Sequence, residues 1–213
     1  FGHKSESDFM LGSETMRREW ELGKQVGWEG LSILDSGVPN GSGYCPYDDE
    51  DTRARDTYLV KNGVLTGRLH SAATAAALDE AVTGNARAIS FEFEPIVRMT
   101  STWIAGGTDT FESLLRGAEG GLYIPDFFHG SGMSTFTIAP ARAYRIRGGK
   151  PAEPVLVSVI SGNVMQTLHQ IDGATAETEL RSLFTGGCGK MEQWPLRVAF
   201  GGPYLRVRGL KAQ

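Results

Sequence analysis

The chain has 213 residues, of which 40% are apolar and 22% are charged, and its formal net charge is −4. This composition is typical of a globular protein with one substantial core, so we expect a single large domain. The net negative charge and the lack of a basic stripe argue against a nucleic-acid partner. No apolar run approaches the roughly 18 residues of a membrane span, which argues against a membrane protein. The two cysteines are few and far apart, which favours the reducing cytoplasm.

The first half of the chain combines helical segments with a hairpin. Residues 3 to about 22 are charged and contain good helix formers, which predicts a helix ended by Gly23. Residues 57–69 form two strand-like runs around Asn62-Gly63. This pair predicts a tight hairpin, because both central residues of a type I′ turn need positive φ. The Ala-rich stretch 72–81 predicts another short helix.

The second half is dominated by short strands. The predicted elements are an extended segment at 95–104, a helix from 108–110 to about Glu119, strands at 134–138, 143–147 and 155–160, a helix capped by Asn163, and two last strands, 196–200 and 204–207, joined by Gly201-Gly202-Pro203. Strands outnumber helices, and no βαβ alternation is visible. The sequence therefore predicts an α+β fold, mostly antiparallel β-sheet with a few short helices.

One histidine lies close to the start of the chain and to two carboxylates. His3 is followed by Glu6 and Asp8. A histidine beside carboxylates at a helix end is suited to be a metal ligand with supporting hydrogen bonds. The alternative is an incidental histidine on a terminus that frays.

The other three histidines differ in their surroundings. His129 lies in the aromatic and glycine-rich stretch 127–132, where backbone can approach a ligand, and both a functional and an incidental role stay open. His70 follows a predicted strand and His169 lies on a predicted helix. We expect both at the surface or at the edge of the core.

Cys188 is the cysteine whose neighbours indicate chemistry. It lies in Thr185-Gly186-Gly187-Cys188-Gly189-Lys190, where glycines leave the sulfur open and Lys190 favours the thiolate. Thiolate is the form that binds zinc and the form that attacks as a nucleophile. The alternative is a tight turn with an incidental thiol. Cys45, which precedes Pro46, is interpreted as structural, and no pattern supports a disulfide between the two cysteines.

Several motifs occur together in one order along the whole chain. They are Gly2-His3-Lys4-Ser5-Glu6-Ser7-Asp8, Ile33-Leu34-Asp35-Ser36-Gly37, Asp48-Asp49-Glu50, Lys61-Asn62-Gly63-Val64-Leu65, Thr83-Gly84-Asn85-Ala86-Arg87, Pro95-Ile96-Val97-Arg98-Met99-Thr100 and Cys188-Gly189-Lys190. Each motif alone is weak. In this order the chain resembles the C-terminal domain of the TldD/PmbA family, also called modulators of DNA gyrase.

The resemblance implies a zinc peptidase site. In TldD-like members the two histidines of an HExxxH motif and a late cysteine bind the metal, and the Glu activates water. His3 matches the second histidine and Cys188 the cysteine. The first histidine and the catalytic Glu are expected five and four residues before His3, so we interpret the chain, residues 1–213, as a C-terminal domain truncated within the motif. No catalytic residue is then expected in this chain.

The motif spacing restricts how His3 is presented. Histidines five positions apart on an ideal helix point about 140° away from each other, since the helix has 3.6 residues per turn. The second histidine therefore has to lie at a helix end or irregularity, and Gly2 is consistent with this. Arg98, Thr100 and His129 are expected to line or support the substrate cleft. His129 stands where the family pattern has glycine, in a glycine-rich segment shorter than in many TldD sequences.

Three hypotheses for function follow. The first is a zinc peptidase that cleaves unfolded or flexible peptides, inactive as this fragment and working as a homodimer or as a TldD/TldE-like heterodimer. The second is a PmbA/TldE-like partner subunit without metal, although retention of His3 and Cys188 favours the metal-bearing TldD branch. The third makes Cys188 a nucleophile and His129 its base.

Overall fold

The computed structural model describes residues 1–183 and 186–213. Its helices are a one-turn 3₁₀ helix at Gly2–Ser5 and five short α-helices, α1 Ser7–Gly12, α2 Glu14–Glu19, α3 Ala72–Leu78, α4 Phe111–Arg116 and α5 Val164–Gln170. No helix in these two ranges is long and apolar enough to cross a bilayer.

Strands carry most of the architecture. They are β1 Ile33–Ser36, β2 Thr57–Lys61, β3 Val64–Leu65, β4 Ala86–Arg87, β5 Ile96–Val97, β6 Ser101–Ile104, β7 Leu122–Gly132, β8 Thr135–Arg147, β9 Lys150–Pro154, β10 Ile160–Asn163, β11 Ile171–Ala174, β12 Glu179–Ser182, β13 Cys188–Lys190, β14 Gln193–Leu196, β15 Ala199–Gly202, β16 Leu205–Val207 and β17 Lys211–Ala212. The predicted α+β class is confirmed.

Two larger sheets organise the fold. The first has the order β12-β15-β6-β1-β2-β3, and a second sheet has the order β17-β10-β8-β7 with β9 also paired to β8. Their strand pairs are antiparallel except for β15 with β6. Smaller two-stranded ladders join β4 to β5, β11 to β16 and β13 to β14. The β13–β14 ladder carries Cys188.

The predicted hairpin at Asn62-Gly63 is confirmed. Asn62 has φ of 50° and Gly63 has φ of 79°, and β2 and β3 pair on either side. A β-carbon on Gly63 would also collide with the backbone oxygens of Gly27 and Trp28. Both the turn and the close approach of the chain therefore require glycine at this position.

The first helical segment is shorter and more broken than predicted. In place of one helix over residues 3 to 22, the chain forms the 3₁₀ turn, α1 and α2. Ser13 begins α2, since its side chain accepts a hydrogen bond from the backbone N–H of Met16. Met10 and Trp20 from this segment pack into the main apolar core. The break lets short helices bury these side chains while the polar residues between them stay outside.

Two strand predictions in the second half are wrong. Of the strand predicted at 155–160, only Ile160 lies in a strand, and Leu156 is 94% exposed. Val155 and Val159 are hydrogen-bonded to Ala143 and Gln213, but residues 155–159 form no regular strand. The segment 196–200 is divided between β14 and β15. The last strands form no hairpin with each other, since β15 joins the first sheet while β16 pairs with β11.

His70 is fully buried, which corrects the expectation of a position at the surface or at the edge of the core. Its side chain is 1% exposed, and its ring contacts Thr74 Oγ1 at 3.3 Å and Glu80 Oε2 at 3.1 Å. Burial lowers the pKa of His70 below its usual 6.5, although the hydrogen bond to Glu80 opposes the shift. The folded protein therefore keeps this ring neutral at a pH where the unfolded chain takes up a proton.

This shift predicts a pH dependence of stability. Neutral His70 makes its full contribution to the free energy of unfolding above pH 6.5. This contribution is lost as the pH falls below 6.5, because the unfolded state then binds a proton that the folded state does not. His70→Gln should flatten the decline of the unfolding free energy below pH 6.5, as measured by urea unfolding of this chain. His169→Gln, at an exposed position, is the control. Equal slopes for the wild type and His70→Gln would contradict the prediction.

Candidate metal centre

The segment that carries His3 is tied to the body of the domain. The backbone N–H of Ser7 donates to the oxygen of Leu69, and the N–H of Leu69 donates to the oxygen of Ser5. Lys4, Ser5 and Glu6 are buried. The alternative of a frayed terminal histidine is therefore wrong for this structure, because its neighbours are hydrogen-bonded into the fold. His3 lies in the 3₁₀ turn Gly2–Ser5, the irregular position that the motif spacing required.

Cys188 opens the β13–β14 hairpin and is 9% exposed. Its backbone pairs with Leu196 across the ladder. The Arg98 side chain donates from Nη2 to the carbonyl oxygen of Cys188 at 2.7 Å and from Nη1 to that of Gln193 at 3.4 Å. These bonds fix the backbone on both strands of the hairpin. Of the glycine-rich loop singled out in the sequence, Thr185 lies outside the described residues.

The fold brings His3 and Cys188 together from opposite ends of the chain. The His3 Nε2 and Cys188 Sγ atoms lie 3.0 Å apart. This is a direct hydrogen-bond contact, slightly shorter than the roughly 3.6 Å that separates a nitrogen and a sulfur sharing a tetrahedral zinc ion. Imidazole nitrogen and thiolate sulfur are both preferred zinc donors, so the pair fits the metal chemically. The described ranges contain no group of three or more His, Cys, Asp or Glu side chains arranged to hold a metal ion. The two donor atoms in contact at this site are His3 Nε2 and Cys188 Sγ.

A buried carboxylate holds the other side of the His3 ring. His3 Nδ1 lies 2.9 Å from Glu6 Oε2, and Glu6 is fully buried. The second Glu6 oxygen, Oε1, accepts the backbone N–H of Met99 at 3.2 Å. A carboxylate on Nδ1 favours the tautomer with its proton on that nitrogen and leaves Nε2 free as a donor to a metal. Nε2 is the atom that faces Cys188.

Charge in this cluster favours protonated His3 when no metal is present. Burial lowers the pKa of the ring, but the hydrogen bonds with Cys188 and Glu6 outweigh it and raise the pKa of His3 to about 9. Metal ligands have to be deprotonated, so His3 would have to release this proton in order to bind a metal ion. The site thus holds the sulfur of Cys188 and the ring of His3 in contact, with the carboxylate of Glu6 behind the ring.

Residues 98–100 support the site from beneath. Arg98 and Thr100 are both 0% exposed. Arg98 holds the Cys188 backbone, and Thr100 donates from its N–H and its hydroxyl to Asp35. Of the two roles expected for Arg98 and Thr100, lining or supporting a substrate cleft, their burial favours support, because neither side chain reaches the surface. Between them, the backbone N–H of Met99 donates a hydrogen bond to Glu6.

His129 belongs to another part of the structure. It lies on β7, paired with Ala139 of β8, and is exposed beside Phe128, which is 77% exposed. The histidine in contact with Cys188 is His3. The hypothesis of a Cys188–His129 pair is therefore wrong in its choice of base.

Two contributors to the site went unrecognised in the sequence. Lys190 was interpreted only as a charge near the thiol, yet its ammonium group contacts Glu6 and Asp8. Asp35 anchors Thr100 from a buried position. The only signal for Lys190 was its place two residues after Cys188 on a strand, which puts both side chains on one face. For Asp35 the signal was a carboxylate within an otherwise apolar strand.

The whole chain, residues 1–213, matches the family of PmbA/TldA metallopeptidase C-terminal domains. A metalloprotease from Synechocystis sp. is 41% identical over 210 residues, which cover 98% of this chain and 45% of that protein. A zinc metalloprotease TldD homolog from Saccharolobus solfataricus is 31% identical over 214 residues, which cover 99% of this chain and 47% of that protein. The chain thus spans about half the length of the curated relatives it matches.

A solved structure agrees with the fold. TldE from Thermococcus kodakarensis superposes with a TM-score of 0.77 at 17% identity, covering 98% of this chain and 45% of that one. At this identity the likeness shows the fold alone. The match to the family over every residue, together with relatives above 30% identity, shows that the chain belongs to the PmbA/TldA metallopeptidase family as its C-terminal domain.

Proposed function

We propose that this chain supplies His3 and Cys188 as two ligands of a catalytic zinc ion in a longer peptidase. The observation that carries the proposal is the 3.0 Å contact between His3 Nε2 and Cys188 Sγ. In that parent protein the first histidine and the catalytic Glu of the HExxxH motif precede this chain. A zinc ion held there by His3 and Cys188 would supply a Lewis acid for the scissile carbonyl.

The residues of this chain have distinct parts in that site. His3 offers Nε2 because Glu6 accepts from Nδ1. Cys188 offers a thiolate from a hairpin whose backbone is held by Arg98. Neither residue performs proton transfer to the substrate in this proposal, since that role belongs to the Glu outside the chain. The isolated chain is accordingly expected to hydrolyse little or no peptide.

The proposed substrate is an unfolded or flexible peptide. β12 is an edge strand of the first sheet and ends at Ser182, shortly before Cys188. A peptide added to such an edge is bound through main-chain hydrogen bonds that ignore its side chains. The parent is proposed to act in the cytoplasm as a homodimer or as a TldD/TldE-like heterodimer, in keeping with the fold shared with TldE.

Peptide cleavage by the full-length protein tests the proposal. We expect hydrolysis of an unfolded polypeptide that a chelator abolishes and that added zinc restores, because the metal supplies the Lewis acid. A folded substrate of the same composition is the control and should be cleaved far more slowly. Hydrolysis indifferent to both the chelator and zinc would overturn the proposal.

A subunit without metal is the alternative within the same family. Reading the residues encoded just before Phe1 separates the two: a His-Glu pair at the motif spacing supports the peptidase, and its absence supports a peptide-binding partner subunit. The contact between His3 and Cys188 favours the peptidase, since a subunit that binds no metal has no need for it.

A cysteine hydrolase is a second candidate because of one observation. Cys188, His3 and Glu6 form a chain of thiol, imidazole and carboxylate, linked at 3.0 and 2.9 Å. This is the order of nucleophile, base and orienting acid in thiol hydrolases. Alkylation of Cys188 that stops hydrolysis by a metal-free preparation would favour this candidate, whereas loss of hydrolysis on chelation favours zinc.

A further inference from the structure

Lys190 is a buried cation whose ammonium group lies among two carboxylates and a carbonyl oxygen. Its side chain is 2% exposed. The ammonium group lies 2.9 Å from Glu6 Oε2 and 2.6 Å from Asp8 Oδ2, and it donates to the carbonyl oxygen of Val97 at 2.8 Å. The ring centroid of Phe9 lies 4.4 Å away. Removing an ammonium group from water is costly, so complete pairing of this kind indicates a specific arrangement.

The partners of Lys190 connect the two ends of the chain at the proposed zinc site. Lys190 follows Cys188 by two positions on β13, whereas Glu6 and Asp8 follow His3 on the N-terminal segment. Glu6 Oε2 is shared, since it contacts both His3 Nδ1 and Lys190 Nζ at 2.9 Å. Glu6 Oε2 therefore links the ammonium group of Lys190 to the ring of His3.

Each oxygen of Glu6 has its own partners. Oε1 accepts the N–H of Met99, whereas Oε2 lies 2.9 Å from His3 Nδ1 and forms an ion pair with the ammonium group of Lys190. Without the ammonium group, Oε2 would remain buried with the His3 ring as its single partner, and the two carboxylates of Glu6 and Asp8 would repel each other. The ring would then lose the fixed acceptor that sets which nitrogen faces Cys188.

We propose that Lys190 is a positioning residue of the zinc site, which holds Glu6 so that His3 presents Nε2 toward Cys188. This inference rests on the proposed function. Lys190 touches neither metal nor substrate and acts through Glu6. The Glu6 carboxylate in turn fixes the position of the N-terminal segment relative to the β13–β14 hairpin, because it contacts Lys190 of that hairpin.

Zinc affinity of the full-length protein tests the role of Lys190. Lys190→Met keeps the length of the side chain and removes its charge, and we expect its zinc dissociation constant to rise about 10- to 100-fold. Lys190→Arg, which restores the charge, should bind zinc more tightly than Lys190→Met. With cobalt in place of zinc, the absorption band from thiolate to metal should shift in Lys190→Met, since the geometry of the two ligands changes.

Lys4→Met is the matched control. Lys4 is also a buried lysine, at 3% exposure, and it follows His3 directly, but it pairs with Glu19 and Ser134 and has no contact with Glu6. Its variant should bind zinc within about twofold of the wild type. Equal affinities for Lys190→Met and wild type would overturn the inference, as would an equal loss in Lys4→Met.

Glu6→Gln keeps the inference testable if Lys190→Met fails to fold. A glutamine has one acceptor oxygen, so its NH₂ group must face either the N–H of Met99 or the donors on the Oε2 side. A loss of zinc affinity as large as that expected for Lys190→Met supports the inference, and unchanged affinity overturns it.

If the wild-type protein binds no zinc, the proposed function itself fails; if it binds zinc and the variants bind equally well, only the role of Lys190 fails.

Discussion

Replacing Cys188 with alanine is expected to abolish tight zinc binding by the full-length protein and to reduce its peptide hydrolysis by about 10³-fold or more. In the proposed site the thiolate of Cys188 is one of the two zinc donors from this chain, and metal binding requires each donor in place. Lewis-acid stabilisation is worth several kcal/mol in the transition state, and each 1.36 kcal/mol corresponds to a factor of ten in rate. Zinc content after dialysis and the rate of peptide cleavage are the two measurements.

The second cysteine provides the control for this variant. Cys45 is free and partly exposed, and its sulfur contacts the backbone oxygen of Tyr47 at 3.1 Å. Cys45→Ala should retain both zinc and activity. If Cys188→Ala keeps stoichiometric zinc, the assignment of Cys188 as a ligand is wrong. If Cys188→Ala loses activity while wild-type hydrolysis survives a chelator, Cys188 acts as a nucleophile.

The sequence could predict the fold class because its local signals were strong. Asn62-Gly63 specified its hairpin through backbone geometry, and Asn163 capped α5 as expected. The β-branched run 155–160 predicted a strand of which only Ile160 is formed, because β-branched residues favour a pleated surface without specifying which residues pair across a sheet. Strand pairing is non-local, and for this reason the parallel pair of β15 with β6 was not foreseen.

The site was only partly predictable for the same reason. The types and spacing of His3 and Cys188 follow from the motifs, but their contact depends on the path of the whole chain between them. Arg98 and Thr100 belong to a distinctive motif, which identified them as important without saying whether they face outward. Both side chains are buried and so do not face outward. Arg98 donates to the backbone of Cys188, and Thr100 donates to the carboxylate of Asp35.

Asp35 on β1 supports the site indirectly, through the residues that position Glu6. Its carboxylate is 1% exposed and accepts four hydrogen bonds, from the N–H and hydroxyl of Thr100, the hydroxyl of Thr102 and the amide of Asn85. Thr100 follows Met99, whose N–H holds Glu6. Asp35 therefore anchors the segment between β5 and β6 that positions the Glu6 carboxylate behind His3.

Asp35→Asn should destabilise this chain by about 2–4 kcal/mol, because a buried donor without a partner costs about 1–3 kcal/mol and more beside charged groups. An asparagine has one acceptor oxygen, and its NH₂ group must face either the N–H of Thr100 or the amide of Asn85. Thr102→Val is the matched comparison. It removes one donor and leaves Asp35 with three hydrogen bonds, so it should lower the free energy of unfolding by only about 1 kcal/mol. Urea unfolding measures both variants. An Asp35→Asn protein no less stable than Thr102→Val would show that the four hydrogen bonds do not require a carboxylate at this position.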